Sequence, residues 1–374
     1  TVLAFHFLAR DHVTPPAALA GTALLAFSRW HITFSRIVYE LILTPLATIL
    51  LFYFLHRGLR DRRPRDLVLA GLALAFGFNT YTGFRTVPLG VAVFFLYWLV
   101  ARRRQVWSVV WGGLLFAASG LIGLIPLAIY VLQRPEVVLI RTRRLNVFGE
   151  IEAVGSLQPL WTNLRNYLLM FHVRGDPVPI NNLPGEPMLS AVTAALVVLG
   201  LVYALRYMNR PGLFLPLAWI IGALPAGVLS VTLESPSSRR VIAMAPVLCL
   251  LAAIALDAFW RGNVRTWQGR GRILWAAPLI GLVAVSGWQD VNTFFSRQIP
   301  NPAVQMAFSP TESEIGRYLK SLGPDVQVYL HQAYREHSAI RFIGENPRYT
   351  VYDPAIHLPL PTPHEEDVVY VLTP

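Results

Sequence analysis

The sequence predicts an all-α polytopic membrane protein, with about nine full transmembrane helices and a partial one, followed by a small C-terminal α/β lobe. Three observations predict it. Charge-free apolar runs near the length of a bilayer span recur through the first 290 residues. Alternate short connections between them are strongly basic. Beyond residue 290 the chain takes on the patterning of an ordinary water-exposed segment.

Composition agrees with that class. Mean hydropathy is +0.48 and 54% of the 374 residues are hydrophobic, while only 14% are charged. A water-soluble domain carries about 25% charged residues. A bilayer is the solvent that does not reward charge, and folding in it rests on satisfying every backbone polar group inside helices. The single cysteine, Cys249, lies in an apolar run, which excludes a disulfide framework. Lys320 is the one lysine beside a large excess of arginine, a bias that carries no functional reading. The opening TVLAFHFLA has no basic flank and is not a signal peptide. It reads as the tail of a helix that begins upstream, and DVVYVLTP reads as a strand at a second cut end.

A helix needs about 20 apolar residues to span a bilayer. The runs are Val13–Ser28, Leu41–His56, Leu67–Phe84, Thr86–Ala101, Gln105–Gln133, Pro187–Leu205, Pro211–Leu233, Val241–Leu256 and Ile273–Gln289. Flanking arginines extend the shorter ones by snorkelling. Only Arg85 separates the third run from the fourth, so that pair reads as a tight hairpin.

The basic connections hold Arg10; Arg57, Arg60, Arg62, Arg63 and Arg65; Arg102, Arg103 and Arg104; Arg206 and Arg210; and Arg261, Arg265, Arg270 and Arg272. The positive-inside rule makes these cytoplasmic. The other connections then face outward, including the long one at 134–186, which is exempt from the rule by its length. The net charge of +11 and pI near 10.1 are therefore topological, and a nucleic-acid partner is excluded. The expected location is the inner (plasma) membrane. The helical domain is 1–290 and the exterior lobe is 291–374.

In the lobe, PTESEIGRYLKSL reads as an amphipathic helix capped at Thr311, with Glu312 and Glu314 in its first turn. VQVYL and DVVYVL read as strands and YREHSAIRFI as a second helix, in the order β-α-β. The lobe has no Gly-rich phosphate loop.

The exterior connections carry polar clusters. Ser28 to Glu40 holds Arg29, His31, Arg36 and Glu40; on a continuous helix Arg36 and Glu40 share a face. Two readings fit: an interfacial ion pair within an aromatic belt, or ionisable groups that line a polar cavity and mark a substrate path. The hairpin turn Asn79 to Arg85 offers Tyr81 and Arg85, as an interface anchor and capped turn or as substrate contacts. The segment Glu234-Ser235-Pro236-Ser237-Ser238-Arg239-Arg240 sets an arginine pair at the start of a helix. Helix N-termini and planar guanidinium forks both suit a phosphate, whether of a substrate or of a lipid headgroup. The long connection contains Arg141-Thr142-Arg143-Arg144, a surface helix at Asn163–Phe171, then Arg174, Asp176 and Asn181 in a turn-rich stretch. Asp176 suits acid/base work or a metal, but an Asp before Pro is also a common turn residue. The histidines lack metal-ligand spacing.

SRWHITFSRIVYE followed by a basic loop, with NTYTGFR, NLRNYLLMFHVRGDP, NNLPGEPMLS and SPSSRRVIAMAP, resembles the GT-C superfamily of membrane glycosyltransferases. The similarity is to its bacterial protein-mannosyltransferase and aminoarabinose-transferase-like branch, over about residues 1–290, and the tail is similar to the periplasmic lobe of some members. The resemblance implies inverting transfer of a hexosyl or pentosyl group from a polyprenyl-phosphate-linked donor to a protein, lipid or glycan acceptor at the outer face. It also implies an acidic residue in the first exterior loop, acting as general base or positioning a divalent cation. That loop is expected upstream of Thr1, so the catalytic residues are expected there. Within this chain, the donor phosphate is expected at Arg239, Arg240, Arg36 and Arg85. Substrate is expected at His31, Glu40, Tyr81, Arg174, Asp176 and Asn181. A transporter or flippase for a lipid-linked or small polar substrate is the alternative, though paired broken helices and internal repeats are not detectable. A noncatalytic scaffold would leave the polar clusters unexplained.

Overall fold

The computed structural model describes residues 1–37, 39–136, 146–266, 270–322, 326–357 and 368–372. The segment Arg141-Thr142-Arg143-Arg144 and the side chains of Arg265, Arg270 and Arg272 lie outside what is described. The chain forms two units, Thr1–Ile299 and Pro300–Pro374.

Each apolar run of the first unit is helical. The helices are α1 (Val2–Arg10), α2 (Pro15–Phe27), α3 (Arg29–Arg36), α4 (Leu43–Asp61), α5 (Pro64–Phe78), α6 (Val87–Ala101) and α7 (Val106–Gln133). There follow α8 (Phe148–Val154), α9 (Gln158–Leu169), α10 (Ala191–Arg206), α11 (Pro211–Ala223), α12 (Pro225–Val228), α13 (Met244–Thr266) and α14 (Arg270–Asn292). Prolines sit in the first turn of α2, α5, α6, α11 and α12, where their missing N–H costs no hydrogen bond. Among the described residues five helical stretches are long and apolar enough to cross a membrane: Glu40–Asp61, Thr82–Ala101, Arg103–Gln133, Pro211–Val228 and Met244–Gly262. Pro15–Phe27 and Ala191–Arg206 are apolar but shorter. The expected run Pro211–Leu233 is divided, because Pro225 opens a separate turn, and the chain leaves the helix at Leu229. Arg36 and Glu40 do not share a helical face. The helix stops at Arg36, Ile37 and Tyr39 are extended, and Glu40 opens a new 3-10 turn. A run of β-branched and aromatic residues there favours extended backbone over helix.

Small residues set the helix spacing. A Cβ at Gly200 in α10 would lie 2.0 Å from the Leu251 carbonyl oxygen of α13. One at Gly90 in α6 would lie 2.3 Å from the Ala218 carbonyl of α11, with Gly222 opposite. Gly71 in α5 meets Ser119 and Gly120 of α7 in the same way. Glycine at such crossings lets backbones approach closely, which is how helices associate where lipid removes the hydrophobic drive. Gly200→Leu is expected to force α10 off α13 at a cost of about 1–3 kcal/mol or more. The check is a lowered thermal midpoint in detergent, with an unchanged midpoint contradicting the close approach.

Contacts within the bundle sort the connections into two groups. Arg60 reaches Asp11 at 3.6 Å, Thr14 donates its N–H (2.9 Å) and hydroxyl (2.6 Å) to Asp257, and the Tyr97 hydroxyl donates to the Asn209 carbonyl at 2.6 Å. These bonds gather the basic connections. Several arginines there are tied down: Arg57 grips buried Asp66 through two nitrogens, at 2.7 and 2.9 Å, and Arg261 holds Asp257 at 2.7 Å. The other connections, at 28–44, 79–86, 170–190, 228–241 and 290–298, meet at the far ends of the same helices, as described below.

In the second unit, β1 (Gln327–His331) pairs in parallel with β2 (Thr350–Tyr352) and β3 (Val368–Val371), in the order β2-β1-β3. The unit's helices are α15 (Pro302–Met306), α16 (Pro310–Ser321), α17 (Ser338–Ile343) and α18 (Pro354–His357). Leu319, Val328, Leu330, Tyr334 and Ile340 make its core. The amphipathic helix begins one residue before the expected cap: Pro310 takes the first helical position and Ser309 precedes it with φ +52°. Thr311 is therefore inside the first turn, because a fixed proline φ already starts the helix. The short strand β2 was not expected.

Candidate functional site

The long connection is the frame on which the 228–240 segment is mounted. Both Glu150 oxygens accept from the Thr232 N–H, at 3.0 and 3.1 Å. Fully buried Asn163 of α9 donates to the carbonyls of Val228 (3.1 Å) and Ser230 (2.5 Å). Asn166 donates to Ser235, and the Tyr167 hydroxyl accepts the Ser237 N–H at 3.1 Å. The Tyr167 ring fills the place where a Cβ on Gly227 would stand, 2.3 Å from it. Burial pushes the Tyr167 hydroxyl above its ordinary pKa, with the Arg240 charge opposing. The Ser235–Pro236 bond is cis.

Asp176 completes the frame. It is 0% exposed. Its Oδ2 accepts from the Ser238 N–H (2.6 Å), the Ser238 hydroxyl (2.8 Å) and Asn181 Nδ2 (3.0 Å), and its Oδ1 accepts from the Val178 N–H (2.8 Å). Burial raises this carboxyl group's pKa, and those donors pull the other way without cancelling the rise. With its oxygens occupied by the protein, Asp176 acts as a brace between the 176–187 stretch and the arginine segment.

Arg239 and Arg240 project from that braced segment. Both pair with Glu234 Oε2, Arg239 in a short contact and Arg240 at 3.2 Å. Arg240 also donates from its other terminal nitrogen to Ser230 Oγ (2.7 Å) and the Val231 carbonyl (3.1 Å). Burial opposes the charge of Arg239, but Glu234, with Tyr81 and Asp176 beyond it, more than offsets this and raises its pKa. The hairpin turn comes to the same place. Gly83 lies against the Arg240 carbonyl, where a Cβ would be 2.8 Å away, so Tyr81 and Arg85 flank the arginine pair's backbone. Thr44 and Thr80 hydroxyls meet at 3.1 Å beneath the turn. The structure thus brings Arg239, Arg240, Tyr81, Asp176 and Asn181 into one neighbourhood, with Arg85 on the adjoining turn.

The α3 residues form a second cluster, joined to the first through the 176–187 stretch. Arg29 is 2% exposed and donates to Asn182 Oδ1, the Pro187 carbonyl (2.5 Å) and Gln298 Oε1 (3.3 Å). Asn182 in turn donates to the carbonyls of Asp176 (3.1 Å) and Glu186 (2.8 Å). Asp290, at the end of α14, accepts the Arg29 backbone N–H and faces its guanidinium. Arg297 grips Glu186 at 2.8 and 3.1 Å. His31 is buried; burial pushes its pKa down to about 4, and its Nε2 has no hydrogen-bond partner among the described residues. Arg36 is exposed and lies over the Phe294 ring, 5.9 Å from its centre. Glu40 and Arg174 are exposed and, among the described residues, contact neither cluster through their side chains.

A groove of about 780 Å³ runs along α2 between α13 and α14. It reaches from Pro16 and Trp260 at the basic end to Phe27, Trp288 and Val291 at the polar end, and every side chain lining it is apolar. Phe27 lies two residues from buried Arg29, and Val291 lies next to buried Asp290. Among the described residues no three His, Cys, Asp or Glu side chains converge, so the donor set for a divalent cation is not present in them.

Sequence reasoning placed Arg29 in a polar cluster without giving it a partner, and it missed Asp290, Asn182, Tyr167 and the pairing role of Glu234. One signal was available for the first two. An arginine and an aspartate at the very ends of apolar runs are expensive there unless they face each other.

Residues 1–130 match the family model described as dolichyl-phosphate-mannose-protein mannosyltransferase. No curated protein sequence matches the chain. Among solved structures, the fold is similar to the archaeal oligosaccharyltransferase AglB from Archaeoglobus fulgidus in complex with an inhibitory peptide and a dolichol-phosphate. The TM-score is 0.54 at 12% identity, covering 95% of this chain and 52% of that one. It is also similar to the Archaeoglobus fulgidus oligosaccharyltransferase tethered with an acceptor peptide containing the NVT sequon. There the TM-score is 0.52 at 12% identity, over 95% of this chain and 51% of that one. The chain spans about half the length of these proteins. The family match covers residues 1–130 of the 374, and the likeness to the two oligosaccharyltransferase structures is one of fold.

Proposed function

We propose that the chain binds the donor and acceptor of a membrane glycosyltransferase that takes a hexosyl or pentosyl group from a polyprenyl-phosphate-linked lipid. The acceptor is a protein, lipid or glycan at the outer face of the membrane. The observation that carries this is the arginine pair Arg239–Arg240, mounted on a braced loop at the polar end of a helical bundle that also holds an apolar groove. The dolichol-phosphate and acceptor peptide found with the two similar structures support the same class of donor and acceptor.

The donor's two halves ask for different surroundings. Its isoprenoid chain belongs in apolar space such as the groove along α2, where every lining side chain is apolar. Its phosphate belongs with guanidinium forks, which bind phosphate oxygens in bidentate geometry. In an inverting transfer the acceptor attacks the sugar's C1 as the C1–O bond to phosphate breaks, and the phosphate leaves with the bonding electron pair. The acceptor's proton goes to a general base. Arg239 and Arg240, with Arg85 on the adjoining turn, stabilise the charge that grows on the departing phosphate, an effect of several kcal/mol in a water-poor site. Tyr81, His31, Asp176 and Asn181 border or support the acceptor region, and Glu40 and Arg174 are exposed positions at the same end of the bundle. The basic connections face the cytoplasm and the polar end faces outward, in the inner membrane.

Arg239→Ala with Arg240→Ala in the full-length protein is expected to lower transfer from a polyprenyl-phosphate sugar by at least about a hundredfold, since single charge-stabilising groups are worth about that much. Membrane insertion should persist. Undiminished turnover would remove the pair from the site.

A further inference from the structure

We propose that Glu234 is a displaceable internal counter-ion: its carboxylate occupies the arginine pair when no lipid phosphate is bound and competes with that phosphate for it. The inference rests on the reading of Arg239 and Arg240 as the phosphate-binding pair. It adds what sets the strength of that binding.

Glu234 Oε2 touches the Nη2 atoms of both arginines. A phosphate oxygen would take the same donors. The partners are held very differently. Arg240 is oriented without Glu234, because Nη1 is fixed by Ser230 Oγ at 2.7 Å and the Val231 carbonyl at 3.1 Å. The backbone just before both arginines is pinned at Ser237 by Tyr167 and at Ser238 by Asp176. Glu234 closes a surface 3-10 turn, Thr232–Glu234, next to Leu233, which is 91% exposed. The Glu234 side chain is 37% exposed, against 10% for Arg240. The carboxylate can therefore swing out while the Arg240 guanidinium stays in place and the Arg239 side chain, 32% exposed, remains mounted on the pinned backbone.

Charge gives the displacement a direction. One carboxylate against two guanidiniums leaves a net positive site. A phosphodiester donor brings one negative charge, and the phosphomonoester left after transfer carries about −1.5 to −2 at neutral pH. The monoester is held more tightly than the donor, and Glu234 is the group that competes with it for the same nitrogens. Glu234 thereby weakens retention of the product phosphate.

The test uses the full-length protein in detergent, with geranylgeranyl phosphate as probe and geranylgeraniol as the phosphate-free control. Glu234→Gln keeps the side chain's shape and removes its charge, and its thermal midpoint is compared with wild type to confirm folding. Partly exposed ion pairs are each worth up to about a fivefold change in an equilibrium. The expected result is about five- to tenfold tighter binding of geranylgeranyl phosphate by Glu234→Gln, weaker binding by Arg239→Gln, and unchanged binding of geranylgeraniol by both. Weaker or equal phosphate binding by Glu234→Gln, with Arg239→Gln still impaired, overturns the counter-ion role and leaves the phosphate reading standing. Binding that responds to none of these residues overturns both.

Discussion

Arg29→Ala is expected to be the most destabilising single substitution in the helical unit, costing several kcal/mol, because it leaves three buried acceptors without their donor at about 1–3 kcal/mol each. Arg29 is 2% exposed, and it ties α3 to Asn182, Pro187 and Gln298 while facing Asp290. Without it Asp290, 7% exposed, keeps a backbone donor but loses its counter-charge. The measurement is the thermal midpoint of the full-length protein in detergent. Restoring neutrality with Asp290→Asn in the Arg29→Ala background should recover part of the loss, because the remaining buried group no longer carries charge. A wild-type midpoint for Arg29→Ala would show that Arg29 does not hold the polar end together.

Asp176→Asn is the second large expected effect, and it separates bracing from catalysis. The change puts an amide N–H where Oδ2 now accepts from Ser238 and Asn181, so donors face donors. Each buried donor left without an acceptor costs about 1–3 kcal/mol. Amide hydrogen exchange in residues 234–240 should rise while exchange in β1 stays unchanged. In a transfer assay the KM for the lipid donor should rise about tenfold or more, since about 1.4 kcal/mol of lost binding is tenfold. If Asp176 were instead the general base, kcat would fall by about 10²–10⁴ with KM and loop exchange unaltered.

The helices were legible because their signal is repetitive. Each apolar run from Val13 to Gln289 has to satisfy its backbone internally, and helix is the way to do so in lipid. The alternation of basic connections was legible for the same reason, and contacts such as Thr14 with Asp257 and Tyr97 with Asn209 gather those connections at one end. What the sequence did not disclose is which polar groups consume one another. Asp176 looked like a group available to substrate, and its oxygens turn out to be filled by four donors, two of them on Ser238, 62 residues along the chain. Arg239 and Arg240 looked like two uncommitted cations, yet Glu234 sits between them. Such pairings depend on tertiary approach and have no periodicity to betray them. The break after Arg36 was missed for a local reason: i,i+4 spacing presupposes an unbroken helix, and Ile37 and Tyr39 are extended.

The account depends on the arginine pair and the basic connections lying at opposite membrane faces. Single cysteines at Leu233 and at Arg65, both exposed positions, in a Cys249→Ala background, test this with a membrane-impermeant maleimide on intact cells. The expected result is labelling of Leu233→Cys from outside and of Arg65→Cys only after the membrane is opened. Labelling of both from the same side would contradict the account.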